Sequence, residues 1–230
     1  SYGDWILESV WGDSTDSTVD LVSTYFDWDL LENWEGRLAT IYYVNDDAGG
    51  GTGLSWAAAF NNLQTALNTA QAGDQIWVAA GTYTPTASGT DARSATFTMK
   101  AAVELYGGFS GSETNLGNRA NFSVDYDWNG KTGLAFSSDD VAAITNNRLT
   151  YLSGDIGTLG DYSDNCYTVI TGASDSRLDG FIIYGGNGFG ENSITDGGGM
   201  VNKKDDDMIV ANCTFLNNQA KAGGGVYNED

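Results

Sequence analysis

The apolar positions of this chain fall mostly in short runs separated by glycine and asparagine, not in long stripes. Ile41-Tyr42-Tyr43-Val44-Asn45 is the first clear run. Gly73 to Tyr83 reads as a turn, a strand around Ile76-Trp77-Val78, and a second turn at Gly81. Further runs follow at Ala95–Met99, Val103–Tyr106, Leu149–Leu152, Tyr167–Ile170, Leu178–Tyr184 and Met208–Phe215, with a last start at Val226. Runs this short, rich in β-branched and aromatic residues and bounded by turn residues, predict strands. With no helical pattern between them, they predict an all-β class.

One segment breaks the pattern. From Ser55 to Gly73, the residues Trp56, Phe60, Leu63, Leu67 and Ala70 recur at spacings of four and three. That spacing lines one face of a helix. Ser55 is a plausible N-cap and Gly73 a plausible C-terminal cap. The spacing therefore predicts a helix over about residues 55–72, whose apolar stripe has to cover an apolar surface. Each large side chain buried there contributes roughly 1.5–3 kcal/mol.

An internal repeat narrows the architecture. Leu178-Asp179-Gly180-Phe181-Ile182-Ile183-Tyr184-Gly185-Gly186 aligns with Val210-Ala211-Asn212-Cys213-Thr214-Phe215-Leu216-Asn217-Asn218. Gly197-Gly198-Gly199-Met200-Val201-Asn202 aligns with Gly223-Gly224-Gly225-Val226-Tyr227-Asn228. A parallel β-helix, a solenoid of stacked short strands, explains such a repeat. Inward side chains such as Leu178, Gly180 or Phe181, and Ile183 would stack in columns. Asn202, Asn217, Asn218 and Asn228 would sit at corners. The 55–72 helix then caps the first layer, over Ile76 and Val78, and hides an otherwise exposed sheet end.

Two regions lie outside the repeat. Residues 1–40 form an acidic, aromatic N-terminal extension with Trp5, Trp11, Trp28, Trp34 and a single basic residue, Arg37. Such rings need a surface to pack on, in this chain or a neighbour. Trp5, Ile6, Trp11, Tyr25, Phe26 and Trp28 are the subunit-docking candidates. The second region is an insertion over about residues 115–147, carrying Phe122, Tyr126, Trp128 and Phe136. The domain division expected is thus 1–40 as extension and 41–230 as solenoid.

Composition removes several function classes. The formal net charge is −21, which disfavours nucleic acid, because phosphate contacts need clustered Lys and Arg. It equally disfavours anionic membrane surfaces. Histidine is absent, so no His triad, His ligand or His acid–base step exists. No apolar run reaches the roughly 18–20 residues of a membrane span. The first residue is Ser1, not Met, consistent with a leader already removed or a trimmed chain. Cys166 and Cys213 either form one disulfide, if their strands are adjacent, or act as small hydrophobes.

Several segments carry a family resemblance. Gly73–Tyr83 following a capping helix is similar to the start of pectin-lyase-like right-handed β-helices. Tyr106-Gly107-Gly108-Phe109-Ser110-Gly111-Ser112-Glu113-Thr114, Leu152-Ser153-Gly154-Asp155-Ile156-Gly157 and Leu178-Asp179-Gly180-Phe181 resemble large bacterial surface β-helix proteins. Phe215-Leu216-Asn217-Asn218 followed by Gly223-Gly224-Gly225-Val226 resembles the repeats of polymorphic outer-membrane proteins, with Gly225 where that pattern carries alanine. The resemblance covers about residues 41–227. It implies a right-handed parallel β-helix and a secreted or cell-surface, adhesin-like protein.

Candidate chemistry is sparse. Lyase chemistry on such a fold would need a calcium cluster and an Arg or Lys base. Hydrolase chemistry would need paired carboxylates. Arg93, Arg119, Arg148 and Arg177 sit near turns without a recognisable motif, so no catalytic residue is assigned and no enzyme is expected. Asp161-Tyr162-Ser163-Asp164-Asn165 presents alternating oxygen ligands, making Asp161, Asp164 and Asn165 candidate Ca²⁺ ligands. Lys203-Lys204-Asp205-Asp206-Asp207 is a second acidic loop, weakened by its lysines. Tyr126, Trp128 and Tyr162 are candidates for stacking on a sugar.

The function expected is an extracellular structural protein, a subunit of a cell-surface filament or adhesin that self-associates head to tail. Its basis is a helix lid at one end and no capping element after Tyr227. The alternatives are a module that binds or cleaves a host or environmental glycan, and a non-polymerising passenger fragment of a larger adhesin.

Overall fold

The computed structural model describes residues 38–119, 149–189, 196–203 and 207–229. The chain divides into a unit Ser1–Leu38 and a unit Ala39–Asp230, and only the second falls substantially within the described residues. That unit is all-β, mostly short strands in parallel sheets with little helix.

Among the described residues the strands form three sheets, all paired in parallel. The first sheet holds, in order, β1 (Ile41–Val44), β2 (Gln75–Ala79), β5 (Glu104–Phe109), β8 (Arg177–Asp179) and β11 (Ile209–Ala211). The second holds β3 (Gly81–Tyr83), β6 (Thr150–Ser153), β9 (Ile182–Tyr184) and β12 (Thr214–Leu216). The third holds β4 (Phe97–Thr98), β7 (Ile170–Thr171), β10 (Met200–Asn202) and β13 (Val226–Asn228). After β1, the chain visits the three sheets in turn, four times over, adding one strand to each sheet per pass.

The register places like side chains over like. Ile76, Leu105, Leu178 and Val210 are successive partners in the first sheet. Tyr83, Leu152, Ile183 and Phe215 succeed one another in the second. Phe97, Ile170, Met200 and Val226 do so in the third. The members of these columns from the first three passes are all buried and share one core with Phe181 and Val169. Along β2, Ile76 and Val78 enter this core while Trp77 between them packs in a second, aromatic cluster, so successive side chains bury on opposite faces of the strand.

The repeat reappears as register. Leu178 pairs with Val210 and Met200 pairs with Val226, as the aligned segments require. The runs Leu178–Tyr184 and Met208–Phe215 are each two strands in different sheets, however, not one. The chain bends at Gly180 (φ +90°) and at Asn212 (φ +50°). Left-handed backbone favours glycine and asparagine. Gly180 is thus the corner, and Phe181 is the inward residue. Asn217 (φ +50°) is a corner as expected. Asn202 and Asn228 are not: they lie within β10 and β13 and pair with each other. Asn218 instead caps a turn, accepting from the Gly186 N–H and donating to the Ile183 carbonyl.

The helix expected over 55–72 is also corrected. A 3-10 turn spans Trp56–Ala58, and the only α-helix among the described residues, α1, spans Leu63–Thr69. Phe60 lies between them as an isolated bridge partner of Val44. Its N–H donates to Tyr43 O and its carbonyl accepts from Asn45 N. A residue held in two sheet-type hydrogen bonds cannot continue a helix. Ser55 does cap, but it caps the 3-10 turn by accepting from Ala58 N. Asn62 caps α1, accepting from Thr65 N, and Ala70 terminates it. Gly73 (φ +86°) belongs to the turn before β2. Leu63, Ala66, Leu67 and Ala70 enter the main core, whereas Trp56 joins a separate aromatic cluster. The shortened helix still packs on β1, β2 and β4, of which β1 and β4 are the end strands of their sheets among the described residues.

The docking candidates Trp5, Ile6, Trp11, Tyr25, Phe26 and Trp28 lie outside the described residues, as do residues 120–147 of the insertion expected over 115–147 and the Lys204-Asp205-Asp206 stretch; the start of that insertion, Leu116–Asn118, forms a 3-10 turn.

Candidate functional site

The loop between β6 and β7 carries the three candidate metal ligands. Its neck is closed by a hydrogen bond from Cys166 N to Gly154 O (2.8 Å). Asp161 lies on the exposed rim, where its Oδ1 accepts from both the backbone N–H and the hydroxyl of Ser163. These two bonds hold its carboxyl below the usual range. Asp164 turns inward and accepts from Thr158 N (2.7 Å). Asn165 is buried and donates from Nδ2 to Gly185 O. The structure thus separates Asp161 from Asp164 and Asn165. It adds Asp155, which accepts from Gly160 N (2.8 Å) within the same loop. Spacing within residues 161–165 could not reveal Asp155, ten residues from Asn165; its place beside Gly154 at the start of the loop was the only hint. Among the described residues, no three His, Cys, Asp or Glu side chains are grouped to hold a metal.

A second polar cluster, unforeseen from the sequence, sits on the first sheet around Asp179. Arg119 Nη2 lies 2.8 Å from Asp179 Oδ1 and Arg177 Nη2 lies 2.7 Å from Oδ2. Asn212 Nδ2 donates to the same Oδ1 (2.8 Å). Burial alone would raise the carboxyl's pKa. The hydrogen bonds from Asn212, Arg177 and Arg119, with the charge of Arg119, outweigh it and leave the pKa lowered. Both guanidinium groups also lie over the Tyr106 ring, a cation–π contact. Beside them Trp77 stacks on Phe109 with 4.7 Å between ring centroids, and Tyr43 and Trp56 pack around the pair. Trp77, Tyr106 and Phe109 are buried, so these rings pack the structure and present no open stacking face.

The arginines considered as bases are engaged elsewhere. Arg93 donates to the carbonyls of Asn165, Asn187 and Phe189 and covers the Tyr167 ring. Arg119 and Arg177 belong to the Asp179 cluster, and Arg148 lies outside the described residues. Of the sugar-stacking candidates, Tyr162 is exposed, while Tyr126 and Trp128 lie outside the described residues. Cys166 and Cys213 are free thiols. Burial pushes them up to about 12 and about 11 respectively, and the Cys213 thiol donates to Ala211 O. They therefore behave as small apolar side chains, not as a disulfide.

The outer edges of the three sheets differ between the β1, β3 and β4 side and the β11, β12 and β13 side. On the outer side of β1, Tyr43 N donates to Gly53 O and Asn45 N donates to Phe60 O (both 2.8 Å). At the outer edge of β3, Thr82 N donates to Asp46 Oδ2 (3.2 Å). At β4, Thr98 N donates to Gln64 Oε1 of α1 (3.1 Å). Side chains and a folded-back segment thus occupy backbone groups that an added strand would use. The strands β11, β12 and β13 each have a neighbour on one side only among the described residues. Val210 and Val226, the last members of their columns, are 39% and 38% exposed, against 0% and 1% for their partners Leu178 and Met200. Ile209 is exposed beside them.

No helix among the described residues is long and apolar enough to cross a membrane. No family model, no curated protein and no solved structure matches the chain.

Proposed function

We propose that residues 41–230 are a right-handed parallel β-helix serving as a structural subunit of an extracellular, cell-surface filament or adhesin, joined head to tail through its ends. The three-sheet visiting order supports the solenoid reading, since one strand per sheet per pass is what stacked coils require. Right-handedness follows from the strong preference of parallel crossovers. Support for assembly comes from the difference between the two edges. The α1 side has edge hydrogen bonds occupied, while among the described residues β11, β12 and β13 each pair on one side only and Val210 and Val226 are half-exposed, an edge that could take up either a further coil of the same chain or a partner's strand.

Edges of this kind pair with added strands. The occupant proposed is the aromatic segment 1–40 of a second copy, with Trp5, Ile6, Trp11, Tyr25, Phe26 and Trp28 as docking residues. Each contact joins unlike surfaces, so repetition without closure gives a fibre. An exterior location fits the net charge of −21, which keeps separate filaments apart in solution.

Negative-stain microscopy of the purified chain tests this. Regular fibres are expected, and they should vanish on deletion of residues 1–40 or on Val210→Lys, both leaving folded monomers. Monodisperse wild-type monomers at high concentration would overturn the assembly reading.

A further inference from the structure

We propose that the loop from Gly154 to Cys166 is a binding site for a hard divalent cation of the calcium type, with Asp155, Asp164 and Asn165 as its side-chain ligands. The proposal is independent of filament assembly. The neck bond from Cys166 N to Gly154 O sets Asp155 and Asn165 side by side, each one residue inside the closure. Asp155 Oδ2 accepts from Gly160 N and Asp164 Oδ2 accepts from Thr158 N. Both carboxylates are therefore turned onto the same three-residue stretch of the loop, from opposite ends of it.

That leaves one oxygen on each side chain. Asp155 Oδ1, Asp164 Oδ1 and Asn165 Oδ1 are all shielded from solvent and receive no hydrogen bond. Asn165 is only 3% exposed. Its Nδ2 is committed to Gly185 O, which fixes Oδ1 as the unused end of the amide. Buried acceptors without donors are strongly unfavourable, and more so when the group is ionised. A single water offers two protons and cannot serve three such oxygens by donation. A cation can serve all three.

The ligand chemistry selects the class. Two carboxylates and an amide oxygen suit a hard cation with oxygen ligands. They do not suit zinc, which prefers thiolate and imidazole. Calcium accepts six to eight oxygens in loose geometry, so backbone carbonyls and waters can complete its shell. The residues from Gly157 to Ser163 are exposed, which provides entry from solvent. The net charge of −21 concentrates cations near the surface. Asp161, exposed and spent on Ser163, stands outside the site.

The test is a CaCl₂ titration of the chelator-treated full chain, with KCl matched for ionic strength and MgCl₂ as comparison. One calcium per chain by calorimetry is expected. The melting midpoint should rise by about 5 °C or more at a hundredfold excess over Kd, with a smaller rise for magnesium. Asp164→Asn should weaken binding at least about tenfold, the loss of one of only two charged ligands, while Asp161→Asn should leave it unchanged. Absence of binding heat and of a midpoint shift in the wild-type chain would overturn the proposal without any variant. Equal calcium affinity in Asp164→Asn would overturn it as well, by locating the ion elsewhere.

Discussion

Replacing Asp179 by alanine is the most direct probe of what holds successive passes together. Its carboxylate is 2% exposed and joins Arg177 of its own strand to Arg119 and Asn212, 60 and 33 residues away in the chain. Removing one member of a buried ion pair costs about 3–5 kcal/mol, because the partner charge stays behind unpaired. Arg119 and Arg177 keep 18% and 29% exposure, so water relieves part of that penalty and the lower end applies, about 3 kcal/mol. For a unit of this size, that lowers the melting midpoint by about 6–12 °C. The measurement is urea and thermal unfolding by circular dichroism, for wild type, Asp179→Ala and Asp179→Asn. The pH dependence has a definite sign. The folded carboxyl titrates below its unfolded value, near ~3.9, so its contribution is complete above that pH. The contribution is lost as pH falls through the lower folded value. The gap between wild type and Asp179→Ala should therefore be constant near neutral pH and shrink below about pH 4. A gap under about 1 kcal/mol at pH 7, the scale of an exposed pair, or one that widens on acidification, would refute the reasoning.

Two further predictions follow from packing. Cys166, buried, and Cys213, half-buried, should react two per chain with a disulfide-exchange reagent after denaturation, with Cys166 resisting it in the folded chain; rapid reaction of Cys166 in the native state would contradict its placement. Leu67→Ala in α1 should cost about 2–5 kcal/mol, read from urea midpoints, whereas Gln64→Ala on the same helix should cost about 1 kcal/mol through the lost bond to Thr98 N.

The strand content and the repeat were legible in the sequence because both are local. Ile76-Trp77-Val78, Val103–Tyr106 and Leu178–Tyr184 are short apolar runs bounded by turn residues, and equal segments take equal places in their sheets. Hence the alignment of Leu178 with Val210, and of Met200 with Val226, reappears as pairing register. Other features had no local trace. A single left-handed residue turns Leu178–Tyr184 into two strands of different sheets, yet the apolar pattern is the same whether the run is straight or bent. The 55–72 stripe likewise satisfied helical spacing, and only the demand of β1 for hydrogen bonds drew Phe60 out of it.

By itself, the sequence determined the class of element, the correspondence of the two repeat copies and the absence of imidazole chemistry, all properties of composition and near neighbours. Tertiary structure alone decided which distant residues meet. Asp179 finds Arg119 sixty residues away, and Cys166 N closes back onto Gly154 O across a loop. Such meetings depend on how many residues each pass takes and where it bends. A corner residue or a loop closure sets both, and either can be altered without changing the hydrophobic pattern.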